Sequence, residues 1–278
     1  MLQERVSSDV YVFTSELYVQ VTAGLVVTDE GIVVIDTLPL PVESREMVEF
    51  IARRFPVGVR YLVLTHYHAD HTYGAYLYPD VPVVAHSRCR ELLASQGEEA
   101  LARAKEEATE LEEVEIRLPD VTLDEGEMDL RVGDKTFRLI PTPGHSEDLL
   151  SVYVEEDKVL FASDNVMSVP VVLGGDIEQM KASLRRLMDL GAESIVRGHG
   201  EVILRGEVQS GLQETIDYLN EIYGLAAEAV QEGRDWEWLA RLDAEDSGLS
   251  RVALDGRAQQ LHTANLQYLY DQIKQGEA

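Results

Sequence analysis

Short β-branched and aliphatic runs, separated by polar turn clusters, dominate the opening third of the chain. Residues 10–13, 17–27 and 31–36 are predicted strands, with Thr28-Asp29-Glu30-Gly31 turning between the last two, so an antiparallel meander is expected. Pro41 and Val42 then open a stretch, 43–54, whose apolar Met47, Val48 and Ile51 recur at helical spacing before a short apolar strand at 61–64. That order implies a strand, helix, strand crossover. Residues 81–85 repeat the pattern, with 87–95 helical behind them. Between about 97 and 118 the composition turns to charged helix formers, which predicts an exposed helical insertion.

Strands resume over 121–161, broken by the turns Asp124-Glu125-Gly126 and Val132-Gly133-Asp134. In 177–190, Met180, Leu184, Leu187 and Met188 share one helical face; 194–196 is one more brief strand, and everything after about Gly206 reads as helix. Runs of strands divided by helices favour two sheets packed together with helices outside, an α/β (α+β) architecture, over a doubly wound parallel sheet. With no repeat and no low-complexity linker, the expectation is one domain over 1–205 carrying the insertion, and a helical extension, 206–278, packed on it.

Charge narrows the partners. The 278 residues carry a formal net charge of −27, which repels nucleic acid and acidic lipid, so a small-molecule partner is expected and a homo-oligomer is left open. Cys89, the single cysteine, cannot form an internal disulfide, and the simplest reading is a reducing cytoplasm. The N-terminal segment lacks the pattern of a cleaved signal, and no stretch approaches the ~20 apolar residues that span a membrane.

Chemistry concentrates after the strand at 61–64, where His66, His68 and His71 fall beside Asp70 in Thr65-His66-Tyr67-His68-Ala69-Asp70-His71. In extended backbone, residues two apart project to one side. His66 and His68 can therefore grip one ion, while Asp70 and His71, beyond a turn, face a neighbouring one. Imidazole with carboxylate favours two zinc ions, with iron or manganese admissible. His145 in Thr142-Pro143-Gly144-His145, Asp164 in Ser163-Asp164-Asn165 and His199 in Gly198-His199-Gly200 supply further ligands, each expected in a loop after a strand.

This succession, HxHxDH, TPGH, an aspartate after a strand and then GHG, resembles the metallo-β-lactamase superfamily over residues 10 to 200. The resemblance implies a four-layer αββα sandwich. It also implies His66, His68 and His145 on a first metal, Asp70, His71 and His199 on a second, Asp164 bridging both, and Asp36 as an outer partner orienting the ligand loop. The implied reaction is hydrolysis of a small ester, lactone, thioester or lactam by metal-bound hydroxide, with Asp70 a ligand that also shuttles a proton.

Two rivals are an iron-dependent oxidoreductase of the same fold, such as a persulfide dioxygenase, and a metal-binding scaffold without turnover. Flavodiiron relatives usually carry glutamate where this chain has His68, which favours hydrolysis. The acyl-homoserine lactonases usually carry tyrosine where this chain has Met167, which speaks against that subtype. The apolar segment 165–175 is expected to wall the substrate cleft, with Met167, Val169 and Leu173 as candidate contacts and its glycine pair as a hinge. His86 reads as a helix cap, His262 as packing, and one of Trp236 and Trp238 as buried.

Overall fold

The computed structural model describes residues 1–276. Four strands, β1 (Leu2–Arg5), β2 (Val10–Thr14), β3 (Thr22–Thr28) and β4 (Gly31–Ile35), run antiparallel in sequence order. Helix α1 (Pro41–Arg54) then returns the chain so that β5 (Val59–Val63) lies parallel to β4. Pro41 presets the first helical turn, Glu43 faces its positive end, and Arg53 and Arg54 face the negative end. After the one-turn α2 (Ala69–Thr72), β6 (Val83–His86), α3 (Ser87–Leu92), α4 (Glu98–Glu107) and β7 (Val121–Leu123) complete a seven-stranded sheet, ordered β1 to β7.

The second sheet is five-stranded: β8 (Met128–Val132), β9 (Lys135–Pro141), β10 (Leu150–Val154) and β11 (Val159–Met167) pair antiparallel in turn. Helix α5 (Ile177–Met188) starts where the Asp176 carboxylate accepts the backbone N–H groups of Glu178 and Gln179, and it leads to β12 (Ser194–His199), parallel to β11. The chain closes with α6 (Val208–Gln231), the short α7 (Trp236–Leu239) and α8 (Ala253–Gly256), and α9 (Ala258–Gln275).

Why β4 is apolar without a break follows from the layering. Val33 and Ile35 face the second sheet, meeting Phe137, Leu139, Val152 and Phe161, while Ile32 and Val34 face outward onto Met47 and Ile51 of α1. A strand covered on both faces has no solvent side to encode. On the far side, Leu160 and Ile195 pack beneath Met180 and Leu184 of α5, Leu212 and Leu219 of α6 and Leu266 of α9. The result is the αββα sandwich, with the C-terminal helices sharing the outer core of the second sheet. Among the described residues, no helix is long and apolar enough to cross a membrane.

Several expectations need correction. The predicted strand 17–27 begins only at Thr22, because Val19 and Gln20 adopt left-handed backbone (φ 45° and 52°), which ends any extended run. Within the insertion only Glu98–Glu107 is α-helical. Beyond it the chain makes the 3₁₀ turn Thr109–Leu111, and Leu101, Leu111 and Val114 bury against Tyr73, so the segment is not simply exposed. Residues 240–252 of the extension are turns rather than helix. Both tryptophans pack, with the Arg234 guanidinium 4.0 Å over the Trp238 ring. Asp164 lies inside β11 and His199 ends β12, so neither sits in a loop.

Candidate metal centre

Asp36 organises the first ligand stretch. It leaves β4 with φ 57°, and its carboxylate accepts the Thr65 backbone N–H (2.7 Å), the Thr65 hydroxyl (2.7 Å) and His71 Nδ1–H (2.9 Å). Those bonds tie the end of β5 to α2, so that His66 precedes the helical turn, His68 stands at its N-terminal boundary, and Asp70 and His71 lie within it. The expected outer role of Asp36 therefore has a geometric basis. Asp36→Ala is predicted to weaken binding of a divalent cation at these residues by about 10- to 100-fold, the range for losing the group that orients a metal ligand. Competition titration against a chromophoric chelator reads that loss directly.

The remaining ligands arrive from the second sheet. His145 lies in the turn after β9, where its backbone N–H donates to Asn165 Oδ1 and its ring Nδ1–H donates to the Val171 carbonyl (3.0 Å). Gly144 has φ 155°, and a Cβ there would meet Met180 Cα at 2.3 Å, so the turn can be this tight against α5 only with glycine. Asp164 projects where β11 bulges against β12, next to Ser163 with φ 50°. His199 is held by donating Nδ1–H to the Val19 carbonyl (2.9 Å).

One ring nitrogen of His71, His145 and His199 is thus committed to the protein, and the other points into a common space. His66 Nε2 and His145 Nε2 lie 2.9 and 3.0 Å from His68 Nδ1, and His199 Nε2 lies 3.2 Å from Asp70 Oδ2. The donor atoms form two groups, His66 with His68, His145 and Asp164, and Asp70 with His71 and His199, each within 4.8 Å of one another. Asp164 links them, with Oδ1 3.1 Å from His71 Nε2 and Oδ2 3.3 Å from His145 Nε2 and 3.6 Å from His199 Nε2.

His71 Nε2 and Asp164 Oδ1 are buried without a hydrogen-bond partner. Orphaned donors of this kind, converging with other imidazoles and a carboxylate, fit a divalent cation of the zinc class.

Electrostatics divides the two groups. Burial, then the charges of His71 and His68, push His66 well below the ordinary imidazole range, and burial with His145 lowers His68 to about 4. Burial also opposes charge on His199, yet Asp164 and Asp70 outweigh it and push the ring up to about 10; Asp164, Asp36 and Asp70 raise His71 in the same way. Against burial, the charges of His71 and His199 hold Asp70 at about 2. A cation entering the second group must displace protons, so loading there weakens as pH falls.

Sequence reading missed the supports. Asp148 is buried and accepts the Tyr67 backbone N–H (2.8 Å), pinning the residue between His66 and His68; its only sequence signal is its place just after the TPGH stretch. The Val19 and Val171 carbonyls, which fix His199 and His145, leave no trace in residue type. Tyr18 stands near the second group, its hydroxyl pKa raised by burial and by Asp70.

Of the candidate substrate contacts, Met167 lines a cavity of about 600 Å³ shared with Arg197 and Tyr218. Val169 is fully buried against Leu254 and Ala258, and Leu173 is exposed. His86 caps α3 and His262 packs against Tyr218, both away from the centre.

Comparison with known proteins places this geometry in context. The family model of the metallo-beta-lactamase superfamily matches residues 18–199. A Caenorhabditis elegans beta-lactamase-like protein 2 homolog is 29% identical over 152 residues, 52% of this chain and 43% of that protein. The atrochrysone carboxyl ACP thioesterase of Claviceps purpurea (strain 20.1) is 25% identical over 194 residues, 68% of this chain and 54% of its own length. This chain spans about half the length of the curated relatives it matches.

Among solved structures, a metallo-beta-lactamase from Pontibacter korlensis superposes with a TM-score of 0.65 at 24% identity, covering 79% of this chain and 98% of that one. The stereoselective inverting sec-alkylsulfatase Pisa1 from Pseudomonas sp. gives 0.74 at 17% identity, covering 97% of this chain and 50% of the other. At these identities the likeness concerns the fold alone.

Proposed function

Because the chain belongs to the metallo-β-lactamase superfamily, we propose that it is a binuclear zinc hydrolase cleaving an acyl bond of a small molecule: an ester, lactone, thioester or lactam. The observation that carries this reading is the meeting of two ligand groups around one shared carboxylate, Asp164. An iron-dependent oxidoreductase using fewer of these ligands would leave buried imidazoles idle, which disfavours that rival. A thioester is the first substrate to test, since relatives such as the Claviceps purpurea protein carry thioesterase names.

When bound, paired divalent cations supply a water whose pKa falls to about 7 and positive charge for the oxyanion that develops on the substrate. The chain's own residues do the rest. His66, His68 and His145 would hold one side of the centre and His71 and His199 the other, with the rings of His66, His71, His145 and His199 each oriented through the second nitrogen. Asp70 has a side chain 18% exposed, against 0 to 5% for His66, His71, His145, Asp164 and His199. It is therefore the carboxylate placed to take a proton from the attacking water and deliver it to the leaving group. The acidic side chains of Glu201, Glu214, Asp217 and Glu221 line the neighbouring cavity and would repel polyanionic substrates.

The test is metal analysis beside a panel of chromogenic thioester, lactone, β-lactam and phosphodiester substrates. Hydrolysis of an acyl substrate that disappears with chelation and returns with zinc is expected; cleavage of the phosphodiester alone, or one iron with no zinc, would overturn the reading. In the same assay Asp70→Asn, measured at saturating zinc, should lose about 10²- to 10⁴-fold in kcat, the range for general acid-base catalysis. Full turnover in that variant would remove the proton-transfer role.

A further inference from the structure

Four non-glycine residues with left-handed backbone meet beside His199. Two are Val19 and Gln20, between β2 and β3 (φ 45° and 52°); the others are Leu254 and Asp255, in α8 of the C-terminal extension (φ 52° and 58°). Left-handed backbone is sterically unfavourable, above all for β-branched valine, and persists only where the surroundings hold it. At Val19 and Gln20 it is held by a turn, closed by the Val21 N–H donating to the Tyr18 carbonyl (3.0 Å), and by contact between the two segments. Gln20 Nε2–H donates to Asp255 Oδ1 (3.1 Å), and Val19 packs on the small core formed by Val169, Leu254 and Ala258. Leu254 is fully buried, and its Cδ2 lies 3.9 Å from where a Cβ on Gly200 would stand.

The first of these segments in turn holds a candidate ligand. The Val19 carbonyl accepts His199 Nδ1–H (2.9 Å), the Gln20 carbonyl accepts the Gly200 backbone N–H (3.0 Å), and Val21 forms an antiparallel bridge with His199. Were Val19 to relax to extended backbone, its carbonyl would swing away and the imidazole would lose the bond that fixes its orientation. In the other group, His66 Nδ1 lies 3.1 Å from the Thr65 hydroxyl and His145 Nδ1–H donates to the Val171 carbonyl, and no hydrogen bond among the described residues joins these histidines to either strained segment.

From these contacts we infer that Leu254, with the Gln20–Asp255 bond, is a positioning device by which the C-terminal extension sets His199, and with it the second cation group selectively. The inference rests on the proposed role of Asp70, His71 and His199 as a cation site. Leu254 touches neither substrate nor cation; it acts through Val19.

The test is zinc titration of the metal-free 278-residue chain and of Leu254→Ala, Leu254→Met and Gln20→Ala. The imidazole N–H resonance of His199 is followed in each metal-free protein. The wild type should take two equivalents. Leu254→Ala should keep the first but bind the second about 10- to 100-fold more weakly, as expected for loss of support to a metal ligand. Leu254→Met should restore the second, and Gln20→Ala should show a smaller loss of the same kind.

In the metal-free proteins, the His199 N–H resonance should be protected from exchange in wild type and lose that protection in Leu254→Ala. Equal weakening of both equivalents, or protection unchanged in Leu254→Ala, would overturn the positioning role. Should Leu254→Ala fail to fold, Gln20→Ala decides by the same two readouts. A wild type that binds no second equivalent while its His199 proton responds to Leu254→Ala would sink the cation site and leave the positioning contact standing.

Discussion

Asp164→Asn is expected to strip cations from both ligand groups and to cut turnover by about 10²- to 10³-fold through lost charge alone, the scale for removing one preorganised electrostatic partner. The reason is the reach of this one carboxylate, whose oxygens lie 3.8 Å or less from ring nitrogens of His66, His71, His145 and His199. Asparagine keeps the shape and one acceptor but removes the charge. Without it, His71 and His199 lose the main attraction that offsets burial and holds their rings charged in the metal-free protein. Zinc content per chain and kcat should fall together, while far-ultraviolet circular dichroism stays that of the wild type. Wild-type zinc content would contradict the bridging role.

The second large effect belongs to a residue with no chemistry of its own. Gly198→Ala should abolish zinc binding at the shared position, because a Cβ at 198 would stand 1.8 Å from Asp164 Oδ1 and 2.7 Å from the Ser163 carbonyl carbon. The strand β12 can run this close to the bulge in β11 only where it carries no side chain. Relief requires moving either Asp164 or the pairing of β11 with β12, and overpacking of this kind costs typically about 1–3 kcal/mol. Thermal unfolding would report the stability loss and zinc titration the lost site; an alanine variant matching the wild type in both would show that the close approach is dispensable. Gly198 is thus a steric necessity for the placement of Asp164.

Legibility in the sequence followed the physics of each signal. The layer order was readable because apolar runs mark strands covered on both faces, as in β4, and because α1 and α5 carry one apolar stripe each. The histidines and aspartates were readable as a group because their types are rare together and their order is specific. That the chain would bring them into two groups of donor atoms was an expectation, and the distances around Asp164 are what give it substance.

What stayed hidden depends on backbone or on distant packing. Strand β1 escaped notice because Leu2–Arg5 is an exposed edge with three polar residues, Gln3, Glu4 and Arg5, in four. The left-handed Val19 and Gln20 looked like strand because β-branched and neighbouring residues favour extended backbone locally, whereas the turn closed by the Val21 N–H on the Tyr18 carbonyl, with packing against α8 more than two hundred residues away in the chain, holds them left-handed. The insertion looked solvated because its buried Leu101, Leu111 and Val114 are too widely spaced to form a stripe on a single helix.

Nothing tests the account more directly than an anomalous-scattering map from crystals of the zinc-loaded chain, recorded at the zinc absorption edge. It should contain two peaks, one among His66, His68 and His145 and the other among Asp70, His71 and His199, with Asp164 between them. A map with no peak among these side chains, collected from protein that still hydrolyses its substrate, would contradict the account.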